Sequence, residues 1–120
     1  MAAATISAVS AGANGYNLTD SADFTTLATG AGNGVTFDYN ARDLIILKNE
    51  AGQSATVTVK TPQPAAYSGI ITLPDESFSI ADGDTHLYPM LQIFKNASTG
   101  KITIECDQAI DILIVRPANT

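Results

Sequence analysis

Lys101-Ile-Thr-Ile-Glu-Cys-Asp-Gln-Ala-Ile-Asp-Ile-Leu-Ile-Val-Arg116 decides the fold. Ile102, Ile104 and Cys106 alternate with Thr103 and Glu105, the period-two pattern of a half-buried strand. The next run, Ile110 to Val115, is also rich in β-branched residues and is too short for a helix. It is apolar on both sides: Ile110, Ile112 and Ile114 face one way, Leu113 and Val115 the other. A sandwich strand is normally polar on its outer face, so something must cover Leu113 and Val115. The cover is either the N-terminal segment or another subunit, and the residues leave both open.

The same grammar extends outward. Asp43-Leu-Ile-Ile-Leu-Lys-Asn49 has no polar break over Leu44–Leu47, which predicts cover on both faces. Ala55-Thr-Val-Thr-Val-Lys60 alternates cleanly, and the turn Asn49-Glu-Ala-Gly-Gln53 before it predicts that the two runs form a hairpin. Val35, Phe37 and Tyr39 alternate with Thr36 and Asp38, and Pro62 and Pro64 end the Ala55 strand. Short strands are predicted at Ile70–Leu73 and Ser77–Ile80 around Pro74-Asp-Glu76. A turn at Ala81–Asp84 should precede a longer strand, His86–Phe94, interrupted by Pro89. Asn96–Gly100 then turns into Lys101. Some eight strands at about ten-residue spacing predict an all-β chain: a single antiparallel β-sandwich, jelly-roll-like, with helix limited to a turn or two. The expected core is Leu44, Ile46, Val57, Val59, Phe78, Ile80, Ile93, Ile102, Ile104, Ile112 and Ile114.

Residues 10–34 differ from the rest, with Gly12, Gly15, Gly30, Gly32 and Gly34 among Ala, Ser, Thr and Asn. Such a stretch buries little apolar area. Residues 1–34 therefore read as a flexible Gly/Ala/Ser/Thr-rich arm or loop, and residues 35–120 as the sandwich domain. Tyr16, Leu18, Phe24 and Leu27 are the arm's candidate anchors, on this domain or on a neighbour. Together with Leu113 and Val115 they form the expected interface set. Deletion of residues 1–30 should leave a folded sandwich.

At 120 residues the chain is one domain that folds around its own core. Hydrophobic residues at 45% and charged ones at 15% exclude the disordered class. The net charge is −6, and Arg42, Lys48, Lys60, Lys95, Lys101 and Arg116 are scattered singly. That argues against direct nucleic-acid binding, which needs clustered cations to neutralise phosphate, and against an anionic membrane surface. No run approaches the length of a membrane span, and the opening Met-Ala-Ala-Ala-Thr-Ile-Ser lacks the basic and apolar regions of a secretory signal. Cys106, in phase with Ile102 and Ile104, reads as a buried core thiol.

Residues able to do chemistry are sparse. Asp82-Gly-Asp-Thr-His86 is the one ligand-like cluster, but calcium needs further oxygens at fixed spacing and zinc needs His or Cys partners. It reads as a polar turn. Pairing it with Asp75 and Glu76 as glycosidase acids has little behind it, because paired acids in turns are usually solvated. Ala97-Ser-Thr-Gly-Lys101 has the wrong glycine spacing for a phosphate loop, and His86 has no triad partners at a known motif. Tyr16, Tyr39, Tyr67 and Tyr88 could form a carbohydrate platform, although Tyr39 sits in phase with core residues and tryptophan is absent. No catalytic, cofactor-binding or metal-binding residue is expected, and no enzymatic activity.

The order of segments over residues 43–116 resembles the small head decoration, or cement, proteins of tailed bacteriophages. The resemblance is carried by Asp43–Asn49, the Gly turn to Ala55-Thr-Val-Thr-Val59, Thr72-Leu-Pro, Asp82-Gly-Asp-Thr-His-Leu87, Tyr88-Pro-Met-Leu91, and Asn96 through Gly100-Lys-Ile-Thr-Ile104. It covers roughly the last two-thirds of the chain and rests on strand and turn patterns. It implies a non-enzymatic β-sandwich on the outer surface of a virion capsid, bound to the major capsid protein and often trimeric. A carbohydrate-binding or adhesin module is the alternative expectation.

Overall fold

In the computed structural model the described residues are 4–10, 24–30, 32–63, 69–70 and 72–116. They form two sheets stacked as an all-β sandwich. The strands are β1 (Ala4–Thr5), β2 (Val9–Ser10), β3 (Thr25–Thr26), β4 (Val35–Asp38), β5 (Leu44–Lys48), β6 (Ala55–Val59), β7 (Glu76–Ile80), β8 (Thr85–Pro89), β9 (Lys101–Cys106) and β10 (Asp111–Arg116). The first sheet has the order β1-β4-β9-β6-β7; the second has β2-β10-β5-β8, with β3 also on β10. Pairing is antiparallel except where β1 meets β4 and β2 meets β10. The helical content of the described residues is one 3-10 turn, Gln92–Phe94.

The alternating strands fold as their period dictates. β6 and β9 turn Ala55, Val57, Val59, Ile102, Ile104 and Cys106 inward and leave Thr56, Thr58, Thr103 and Glu105 outside. From the second sheet, Ile45 and Leu47 of β5 and Ile112 and Ile114 of β10 meet them. Each such side chain contributes about 1.5–3 kcal/mol on burial. On the open side of the sandwich, where edge strands β7 and β8 lie, Phe78 stacks on His86 and Tyr88 at centroid distances of 4.8 and 5.0 Å. At Gly34, φ is +92° and an added Cβ would collide with the Ile104 carbonyl oxygen, so only glycine lets β4 start so close to β9.

Several expectations are corrected. Leu44–Lys48 and Ala55–Val59 are not a hairpin: β5 lies in the second sheet and β6 in the first, so residues 49–54 cross between sheets. A continuous apolar run satisfies a strand covered on both faces, and β5 takes the centre of its sheet between β10 and β8. Its phase is the reverse of the expected one. Ile45 and Leu47 enter the main core, Ile46 is buried on the opposite face, and Leu44 is 38% exposed. Ile70, Thr72 and Leu73 are not in a strand. The strand expected over His86–Phe94 stops at Pro89, and the chain turns so that Met90 and Phe94 are buried while Ile93 is 69% exposed. Of the remaining core expectations, Phe78 is half-buried; Val57, Val59, Ile80, Ile102, Ile104, Ile112 and Ile114 are buried.

The described parts of residues 1–34 are built into both sheets. Ala4 and Ile6 donate backbone hydrogen bonds to Gly34 and Thr36 at 3.1 and 3.0 Å, and Leu27 donates to Ile110 at 2.8 Å. The Leu27 side chain is fully buried in the main core. The expectation that this segment adds little core fails at Leu27, an apolar side chain that the surrounding small residues disguise in the sequence.

Candidate interaction surface

The outer face of the second sheet holds the feature that composition alone could not place. Register aligns Leu87, Ile46 and Leu113 across β8, β5 and β10, and Pro89, Leu44, Val115 and Val9 in the neighbouring row. Ile46, Leu113 and Val115 form a second buried apolar cluster, with Val9 and Phe24 packed against it. The cation of Lys48 lies 5.7 Å from the Phe24 ring centre. Over β10 this face is buried, and Val9 of β2 and Phe24 beside β3, neighbours of β10 in the same sheet, pack against it. Toward the β8 edge the same face opens, and Leu87 is 61% exposed beside Leu44.

The outer face of the first sheet is its opposite, carrying Thr36, Thr103, Thr58 and Ser77 with ion pairs among them. Lys60 donates to Asp75 at 2.8 Å and Lys101 to Asp38 at 2.7 Å. The Lys60 hydrogen bond, joined by one from the Thr61 amide at 2.7 Å, holds the Asp75 carboxyl below its usual range and Lys60 above its own. These contacts clamp the base of the loop between β6 and β7, aided by Gln63, whose side chain donates to the Leu73 carbonyl and accepts from the Leu73 amide.

Of the expected interface residues, Leu113 and Val115 are buried with Val9 and Phe24 packed against them, Phe24 is half-buried there, and Leu27 belongs to the main core. Tyr16 and Leu18 lie outside the described residues, as does Tyr67 of the tyrosine set. Leu87, absent from the expected set, is the most exposed apolar residue on this sheet face. The register that aligns it with Ile46 and Leu113 is a pairing that the sequence does not display.

The ligand-like motif is a corner. Ala81–Asp84 joins β7 to β8, and Asp82 accepts the Gly52 amide at 3.0 Å. Asp84, Thr85 and His86 bring no further acid or thiol with them: no group of three or more His, Cys, Asp or Glu placed to hold a metal occurs among the described residues. Ala97–Gly100 is a turn in which the Asn96 carboxamide accepts the Ser98 amide at 2.8 Å. Tyr39 and Tyr88 pack against the main core, and burial raises the Tyr88 hydroxyl above its ordinary pKa, with Glu76 adding to the rise. Cys106 is buried, and burial pushes its thiol upward, away from the reactive thiolate. Among the described residues no helix is long and apolar enough to cross a membrane.

Comparison of the chain with models of protein families, with curated proteins and with solved structures finds no match.

Proposed function

We propose that this chain is a non-enzymatic virion protein that binds the outer surface of a phage head and clamps neighbouring major capsid subunits, acting as a homotrimer. One observation carries the reading: the apolar outer face of the second sheet, which continues from the buried Ile46–Leu113–Val115 cluster to exposed Leu44 and Leu87 at an open edge. An apolar strip beside an edge strand is a surface suited to burial against another protein. Many weak copies on a symmetric lattice then add their contacts, which is how a small sandwich can reinforce a shell. The resemblance of residues 43–116 to phage decoration proteins points the same way. The carbohydrate-binding alternative draws no support from Tyr39 or Tyr88, whose rings pack against the core.

The test pairs mass in solution with sedimentation on heads that lack this protein. A trimer that co-sediments and is visible on the particle exterior is the expected result. A monomer that never sediments with particles sinks the reading.

A further inference from the structure

The two ends of the sandwich are chemically unlike. Strand register places residues 39–43, 60–63, 72–75 and 90–100 at one end, with Arg116. Loops 49–54, 81–84 and 107–110 lie at the other. The second end gathers Glu50, Asp82, Asp84, Asp107 and Asp111 against the single cation Lys48. The first carries Arg42, Lys60, Lys95, Lys101 and Arg116 against Asp38, Asp43, Asp75 and Glu76. Three of those acids are already engaged, Asp38 by Lys101, Asp75 by Lys60 and Asp43 by a two-pronged contact with Arg116 at 2.8 and 2.9 Å. Arg42 and Lys95 have no ion pair among the described residues, although Lys95 lies 5.4 Å from the Tyr39 ring centre. The chain is acidic overall, yet this end is cationic in its uncommitted charge.

The same end exposes apolar side chains. Ile93 is 69% exposed, with Leu91 beside it at 40%. Ile93 borders a cleft of about 510 Å³ together with Pro62, Leu73, Lys95 and Asn96. A solvated loop end has no reason to present Ile93 and Leu91, and cations around apolar anchors are the composition of a docking patch.

We infer that this loop end, and not the acidic end, seats on the particle, against a protein surface that is apolar at its centre and carries carboxylates around it. The inference rests on the decoration-protein reading and adds orientation to it. The acidic end then points to solvent, and repulsion between acidic ends discourages end-to-end stacking of copies.

The experiment uses heads lacking this protein and three full-length forms: wild type, Arg42→Glu/Ile93→Asp at the loop end, and Glu50→Lys/Asp84→Lys at the acidic end. Both variants alter exposed side chains, and thermal melting confirms that each is folded. Wild type and the acidic-end variant should bind alike, with affinity falling as salt rises, while the loop-end variant weakens roughly tenfold or more. Wild type that binds while the loop-end variant binds equally well overturns the docking end alone. Wild type that does not bind removes the decoration reading and the docking end together. Head-to-tail multimers of wild type, abolished by either variant, would instead assign the cationic end to the acidic end of a second copy and overturn the shell as its partner.

Discussion

The side-chain amide of Asn49 donates to the backbone carbonyl of Ile80 at 2.8 Å, joining two of the corners where the chain crosses between sheets, β5–β6 and β7–β8. Asn49 is fully buried. Its amide also reaches the Gln53 carbonyl at 2.8 Å, and its side-chain oxygen accepts the Ala51 amide at 3.0 Å. On the main chain, the Asn49 amide donates to the Asp84 carbonyl and Gly83 donates to Asn49. One residue therefore satisfies the polar groups of the β5–β6 and β7–β8 crossings. Replacing it by Ala removes the side-chain hydrogen bonds to Ile80, Gln53 and Ala51 at a buried corner and should cost about 1–3 kcal/mol, read as a lower denaturant midpoint. Asn49→Asp should be worse at neutral pH, since a carboxylate would face two carbonyl oxygens. Wild-type stability in Asn49→Ala would remove the staple role.

The phase of β5 gives a contrast between neighbouring apolar residues. Ile45 is in the main core and Leu87, across from Ile46, is largely exposed. Ile45→Ala should cost about 2–5 kcal/mol. Leu87→Ala should stay within about 0.5 kcal/mol in dilute monomer, because it removes no buried contact. Equal losses from the two would show that the second sheet is turned over. A loss at Leu87 that grows with protein concentration would instead report self-association through this face.

Stability at the pH extremes should follow the Lys60–Asp75 clamp. The folded Asp75 carboxyl sits below its usual range, so its contribution is complete above the unfolded value, near 3.9, and fades as pH falls through the lower folded value. The Lys60 ammonium is raised, so its contribution is complete below about 10.4 and fades as pH climbs past the folded value. Both groups are partly exposed, and salt will weaken the pair. Melting temperature measured from pH 2 to 5 should fall less steeply in Asp75→Asn than in wild type. Parallel acid limbs would show that the clamp carries no titratable stability.

The alternating strands were legible because their side chains state their own phase. β6 and β9 lie as Val57, Val59, Ile102 and Ile104 require, and the sandwich follows from them. β5 was not legible in phase: Leu44–Leu47 is apolar throughout, and only pairing with Ile112 and Ile114 selects Ile45 and Leu47 for the core. The crossing at Asn49 looks locally like a hairpin turn, since the bond that distinguishes it reaches to Ile80, far along the chain. At the candidate surface, the two-sided character of Leu113 and Val115 correctly required a cover. The packing of Val9 and Phe24 against them depends on β2 and β3, two-residue strands too short to leave a periodic signal. The exposure of Ile93 was hidden for a related reason, because it reads as core until the ladder is seen to end at Pro89, while Leu87 is exposed because it lies on the outer face of edge strand β8.

Truncation tests whether that cover is structural. Residues 4–10 and 24–30 supply β1 and β2 to different sheets, pair β3 with β10, and place Leu27 in the core. Deleting residues 1–30 would remove Leu27 and strip Val9 and Phe24 from Ile46, Leu113 and Val115. Losing Leu27 alone should cost about 2–5 kcal/mol, as the full-length variant Leu27→Ala would show. Against the small net stability of a domain this size, about 5–15 kcal/mol, the whole deletion should leave no cooperative melt. The truncated chain should also bind a dye specific for apolar surface and sediment as aggregate. If it melts like the full-length protein and stays monomeric, the N-terminal strands are ornaments on a sandwich stable without them. If it stays folded but multimerises, the uncovered β10 face has exchanged an intramolecular cover for a second copy. Melting, dye binding and solution mass on the same preparation separate these outcomes.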